Sequence, residues 1–185
     1  QFFDEQILEG TYVHCINVAV ISRLIGMWSG MDDDNLDVLT LCGLLHDVGK
    51  TQIPEEIIEK PDRLTGYPFG LEGERIDTFA SIVAIADVYD ALTSDRCYRA
   101  AVCPFEVIAI FESHGLTEYN PKFILTFLEH IAQTYIGNSV RLSDNRLGKI
   151  SMIDTKNLLR PPIQLESGEF VDLSKHLDLY VEEIV

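Results

Sequence analysis

Apolar residues along the first part of the chain recur at helical rather than alternating spacing. Between Thr11 and Trp28, the residues Val13, Ile16, Val20, Leu24 and Trp28 form one stripe, and His14, Val18, Ile21 and Ile25 form an adjoining one. This spacing predicts a buried helix that carries one histidine. The acidic loop "MDDDN" offers N-cap residues for a second helix, roughly Leu36 to Val48, and Gly49 is placed to end it. His46 and Asp47 then fall in its last turn. A short helix is predicted after Pro54, stopped near Pro61, because proline suits a first turn and not a helix interior. The stretch "GYPFGLEGE" reads as a loop with turns at Gly66, Gly70 and Gly73. A strongly apolar helix follows from about Thr78 to Leu92, then two amphipathic segments over about Pro104 to Ser113 and Pro121 to Tyr135.

After Gly137 the period changes to alternation. "SVRLS", "GKISMID" and "PPIQLE…GEFVDLS" predict short strands, with turns at "DNR" and "ESGE". The fold class is mainly α: a helical domain over residues 1–136 and a small β-rich C-terminal appendage over 137–185. The appendage has no chemistry of its own in the sequence, and is expected to cap the helical domain or to form a homodimer contact.

A length of 185 residues is enough to bury a real core. The chain opens on Gln1, which suggests a fragment of a longer protein whose N-terminal part is regulatory. Neither a run of about 18 apolar residues nor a signal-peptide pattern is present, so a soluble, cytoplasmic fragment without a membrane segment is expected. The cysteines at 15, 42, 97 and 103 lack C-x-x-C spacing, which argues against a disulfide framework or a zinc knuckle. The formal net charge of -16 disfavours DNA as a partner, because duplex binding depends on cationic side chains neutralising phosphates. An anionic substrate would need local help from divalent cations and a few arginines.

Asp87 and Asp90 fall three residues apart on one face of the apolar helix, near Ile82, Val83, Ala86 and Leu92. A carboxylate in such surroundings is costly unless a cation or hydrogen-bond donors compensate it. Two readings without metal remain open: Asp87 caps a neighbouring helix, or the face lines a hydrated groove. His46 next to Asp47 decides nothing alone, since such neighbours occur by chance. Together with His14, however, these residues form a mixed nitrogen and oxygen set suited to iron, manganese or magnesium rather than to structural zinc. Lys50 lies where its ammonium could reach an anion held by metals, or could simply answer the helix dipole. Arg96 and Arg99 suit bidentate phosphate contacts, although arginines at a helix end need no function.

The motifs "HDVGKTQIPEEIIEKPDRLT", "GYPFGLEGERI" and "IVAIADVYDALTSDRCYR" resemble, in order, the core of the HD-GYP family, a branch of the HD superfamily of metal-dependent phosphohydrolases. The resemblance covers roughly His14 to Tyr135. It implies an HD-domain helical bundle with two or three divalent metal ions, usually iron or manganese, that hydrolyses cyclic di-GMP to pGpG and on to GMP. It also implies roles residue by residue. His46 and Asp47 match the doublet that names the superfamily, with the aspartate bridging two metals, and Asp87 matches the later carboxylate ligand. His14 and Asp90 match positions that hold a third metal in some members. Lys50 matches a lysine near the scissile phosphate, and Arg96 and Arg99 match positions contacting the dinucleotide. Gly66, Tyr67 and Pro68 are the eponymous motif, a shape element or a contact for a diguanylate cyclase domain.

One departure from the family pattern is large. Between "KPDRLT" and "GYPFG", family members carry on the order of 40 further residues, including three histidines that ligate the second metal, whereas here Thr65 meets Gly66 directly. His114, His130 and His176 lie downstream of Asp87, outside the family's order. Either a lid-like segment belongs between Thr65 and Gly66 outside these 185 residues, or the chain lacks it. The first reading leads to a cyclic-dinucleotide phosphodiesterase. The second leads to a silent module that binds a cyclic dinucleotide or a diguanylate cyclase partner. A different phosphorylated or nucleotide substrate is a third possibility.

Overall fold

The computed structural model describes residues 2–48, 78–94 and 100–185, with side chains from residue 10 onward. The predicted helix after Pro54 and the "GYPFGLEGE" loop lie outside the described residues. The chain divides into two compact units, one of residues 1–101 and 115–126 and the other of residues 102–114 and 127–185.

In the first unit, α1 (Phe2–Trp28), α2 (Asp33–Leu45) and α3 (Thr78–Thr93) pack on one another. A left-handed Gly30, φ 80°, closes α1, and the Met31 amide reaches back to the Gly26 carbonyl at 3.0 Å. This is a glycine C-cap, which frees the chain to reverse. Asp32 then caps α2, its carboxylate accepting from the Asn35 amide at 2.9 Å, while Asp33 and Asp34 answer the positive end of the helix. The two helices approach closely because Gly43 faces α1: a Cβ there would lie 2.7 Å from the Ala19 Cα. Arg23 ties the pair from outside, donating to Asp37 at 2.8 Å and to Thr40 at 3.1 Å.

The core of this unit is Val18, Ala19 and Ile25 of α1, Leu36 and Leu39 of α2, and Ile82, Val83, Ile85, Ala86 and Tyr89 of α3. Two expectations need correction. The stripe of Val13, Ile16 and Val20 is more than half exposed, and the buried side of α1 is the adjoining one, because α2 and α3 both pack there. The α2 helix ends at Leu45 rather than Val48, so His46 is its C-cap and Asp47 lies in the following turn.

Alternation predicts the sheet of the second unit correctly for β1 (Ser139–Leu142), β2 (Leu147–Ile150), β3 (Pro162–Leu165) and β4 (Phe170–Asp172). It does not predict a fifth strand, β5 (Val181–Ile184): "VEEI" is too short and too acidic to alternate, and pairing with β1 makes it a strand. All neighbours are antiparallel, in the order β4-β3-β2-β1-β5. Val140, Leu142, Ile150, Ile163, Leu165 and Val171 are buried, and Arg141, Lys149 and Gln164 alternate with them. Asn145, φ 69°, and Gly168, φ 89°, take the left-handed conformations that the two predicted turns require. The same unit contains α4 (Pro104–Ile110), which gives way to a π-helical turn over Phe111–Gly115 where the period predicts one longer helix. Phe111 there meets Phe127 edge to face at 6.0 Å. A short turn, α5 (Leu116–Glu118), and the start of α6 (Pro121–Gln133) belong to the first unit, and α6 from Phe127 onward belongs to the second.

Candidate metal centre

Three helices of the first unit bring five sequence-predicted residues together. His14 comes from the middle of α1, His46 and Asp47 from the end of α2, and Asp87 and Asp90 from α3. His14 Nε2 lies 3.0 Å from Asp87 Oδ1, and His14 Nδ1 lies 2.6 Å from Asp90 Oδ2. His46 Nε2 is 3.0 Å from Asp47 Oδ1 and 3.6 Å from Asp87 Oδ1. The two imidazoles meet edge to face, with ring centres 5.2 Å apart. One ligand atom from each of His14, His46 and Asp47 falls within 4.8 Å of the others, a spacing on which a single cation could sit.

The donor chemistry fits a metal. His46 Nδ1 is 2.7 Å from the Gly43 carbonyl, which can only accept, so Nδ1 carries the proton. The other nitrogen, Nε2, is buried and faces the carboxylates, with no hydrogen-bond donor aimed at it among the described residues. A backbone carbonyl behind a histidine whose second nitrogen faces carboxylates is the usual support for a metal ligand.

Without a cation the cluster is electrostatically uneven. The carboxylates of Asp87 and Asp90 raise the His14 pKa from 6.5 to about 9 against the opposing effect of burial. For His46 burial pulls the pKa down, but the carboxylates of Asp47 and Asp87 and the Gly43 carbonyl outweigh it and raise the value to about 10. Burial opposes ionisation of Asp90, yet His14, Asn17 and Ser94 together hold its pKa below the ordinary value. The metal-free cluster therefore keeps protons that a bound cation would displace.

Lys50, Arg96 and Arg99, and the Gly66, Tyr67 and Pro68 motif, lie outside the described residues. Sequence reading missed Asn17 and Ser94, whose side chains both donate to Asp90, at 2.8 and 2.9 Å. The signal was available as helical spacing, since Asn17 follows His14 by three residues and Ser94 follows Asp90 by four. It also missed Gly43, which supplies both the close approach of α1 and α2 and the carbonyl behind His46.

Residues 11–67 match the HD domain family, and residues 63–123 match a second family also described as HD domain. Together the two matches span residues 11–123, so the chain carries an HD domain, and the order of its motifs is similar to that of the HD-GYP branch. It is 28% identical to a protein of Pseudomonas aeruginosa named as a cyclic di-GMP phosphodiesterase, over 85% of this chain and 48% of that protein. It is 30% identical to a Vibrio cholerae protein named 3'3'-cGAMP-specific phosphodiesterase 1, over 54% of this chain and 33% of the relative. A response regulator of Xanthomonas campestris named as a cyclic di-GMP phosphodiesterase is 25% identical, over 67% and 44%. The chain spans less than half the length of each of these relatives.

The alignments carry one further fact. The Pseudomonas alignment runs over 200 positions but takes in 85% of 185 residues, about 157, which leaves about 43 positions without a counterpart here. The Xanthomonas alignment, 167 positions against 67% of the chain or about 124 residues, leaves about 43 as well. That is the size of the segment that the motif order expects after Thr65.

Proposed function

We propose that this chain is a metal-dependent phosphodiesterase that hydrolyses cyclic di-GMP or a related cyclic dinucleotide to its linear form, pGpG, and on to GMP. The observation that carries the reading is the convergence of His14, His46, Asp47 and Asp87 from three separate helices. In this reading His14, His46, Asp47 and Asp87 would hold the ions, and Asp90 stands beside His14. Two or three divalent ions, iron or manganese, would supply Lewis acidity at the phosphate and a nucleophile at neutral pH. Lys50 would stabilise charge growing on the phosphate oxygens, and Arg96 and Arg99 would hold the dinucleotide. The names of the relatives support the substrate class, and a chain with a formal net charge of -16 needs such local cations to accept an anion. A cytoplasmic setting, a homodimer and a diguanylate cyclase contact through Gly66, Tyr67 and Pro68 belong to the same proposal. No helix among the described residues is long and apolar enough to cross a membrane.

The alternative, which the names of the relatives do not favour, is a module that binds a cyclic dinucleotide or a cyclase partner without hydrolysis. One experiment separates the two: cyclic di-GMP is incubated with the protein loaded with Mn²⁺ or Fe²⁺, and metal content and products are measured together. Hydrolysis with about two ions bound, both lost in Asp87→Ala, is the expected result. Binding of the intact dinucleotide with one ion or none, and no linear product, would establish the silent module instead.

A further inference from the structure

Asp90 is the most buried charged residue described, at 4% exposure, and it sits on the side of His14 away from the other ligand atoms. The two ring nitrogens of an imidazole point out of different edges. With Nδ1 held by Asp90 at 2.6 Å, Nε2 is aimed at Asp87 at 3.0 Å and shares a cluster with His46 and Asp47. An ionised carboxylate accepts only, so the proton of a neutral His14 resides on Nδ1 and the lone pair on Nε2.

The carboxylate is itself fixed. Asp90 Oδ1 accepts from Asn17 Nδ2 at 2.8 Å and from Ser94 Oγ at 2.9 Å. Two donors occupy that oxygen and the imidazole occupies the other, so three of about four acceptor directions are used inside a buried site. Neutral donors on this scale let a buried carboxylate stay ionised. Asn17 reaches it from the turn of α1 after His14, and Ser94 from the end of α3, so both helices share one anchor.

Resting on the metal-site reading above, we propose that Asp90, Asn17 and Ser94 form a positioning unit that fixes the tautomer and direction of His14, and that Asp90 is not itself a metal ligand. His46 receives the same treatment from the Gly43 carbonyl. One histidine is therefore oriented by backbone and the other by a buried side-chain network. A carboxylate behind a ligating histidine typically changes metal affinity by ten- to a hundredfold without changing the number of ions bound.

The test measures Mn²⁺ number and affinity by electron paramagnetic resonance in the unaltered protein, Asp90→Ala, Asp90→Asn, Asn17→Ala and Asp87→Ala. Nitrogen NMR of the Zn²⁺-loaded protein reads the His14 Nδ1 proton. Asp90→Ala should bind the same number of ions ten- to a hundredfold more weakly, and its Nδ1 proton signal should be lost to exchange. Asp90→Asn, whose carbonyl still accepts from Nδ1, should recover part of the affinity, and Asn17→Ala should lose less than Asp90→Ala. Loss of an ion in Asp90→Ala would make Asp90 a ligand, and unchanged affinity would remove any role; either overturns the proposal. If Asp90→Ala does not fold, Asp90→Asn and Asn17→Ala decide, and wild-type affinity in both overturns it. Asp87→Ala keeps the two readings apart, because retained Mn²⁺ there defeats the metal site itself, whereas an inert Asp90 with a sensitive Asp87 defeats only the positioning unit.

Discussion

The helical unit and the sheet unit bury different things. Among the described residues the buried polar side chains are Ser22 and Asp90, both in the helices, while the buried positions of the strands are apolar throughout. The sheet puts Val140, Ile150 and Ile163 on one face and leaves Lys149 and Gln164 exposed between them, the alternation of a sheet with one solvated face. The helices spend part of their interior on two histidines and their carboxylates, an arrangement that costs desolvation and is most comfortable with a cation present. Among the described residues, the costly polar cluster lies in the first unit.

The largest effect that separates the units is pH. In the metal-free protein His14 and His46 have pKa values raised from 6.5 to about 9 and about 10. A raised pKa stabilises the folded state fully below the unfolded value, and that contribution is lost as pH rises through the folded value. Thermal unfolding of the metal-free helical unit should therefore shift to lower temperature from about pH 6.5 up to about 9 to 10. Mn²⁺ affinity should rise over the same range, because the ligands must shed those protons. A melting temperature that stays level or climbs over that interval contradicts the cluster's electrostatics.

A core deletion in the sheet should do the reverse. Ile163 is fully buried at the centre of β3. Ile163→Ala should cost about 2–5 kcal/mol in denaturant unfolding and leave metal affinity unchanged. Weakened metal binding in that variant would break the separation drawn between the two units.

Gly43→Val probes the helical side with a smaller cost. The added side chain meets the α1 backbone at Ala19 and should destabilise by about 1–3 kcal/mol. It should also lower metal affinity, because His14 and His46 lie on the two helices it forces apart. An unfolding curve together with a Mn²⁺ titration checks both. Asp32→Ala, at the far end of α2, removes a cap and should lower stability least of these changes, with no effect on metal.

Much of the site is legible in the residues alone. His46 beside Asp47 at a helix end, and Asp87 and Asp90 three apart on an apolar helix, mark costly polar groups whose placement needs a reason. The helices themselves follow from period, and α3 ends within a residue of the expected Leu92. Alternation finds β1 to β4 but not β5, because an acidic four-residue strand is defined by its partner rather than by its own pattern.

Other features needed the tertiary structure. Periodicity offers α1 two candidate stripes without distinguishing them, and only the packing of α2 and α3 shows that the His14 stripe is the buried one and the Val13 stripe is not. The chemistry-bearing residue types and their helical phase are local properties, so the sequence by itself determined them. Which nitrogen of each histidine faces the cluster depends on Gly43 and on the Asp90, Asn17 and Ser94 network. Those are contacts between helices as much as within them, and helix spacing alone does not encode the distance at which separate helices meet.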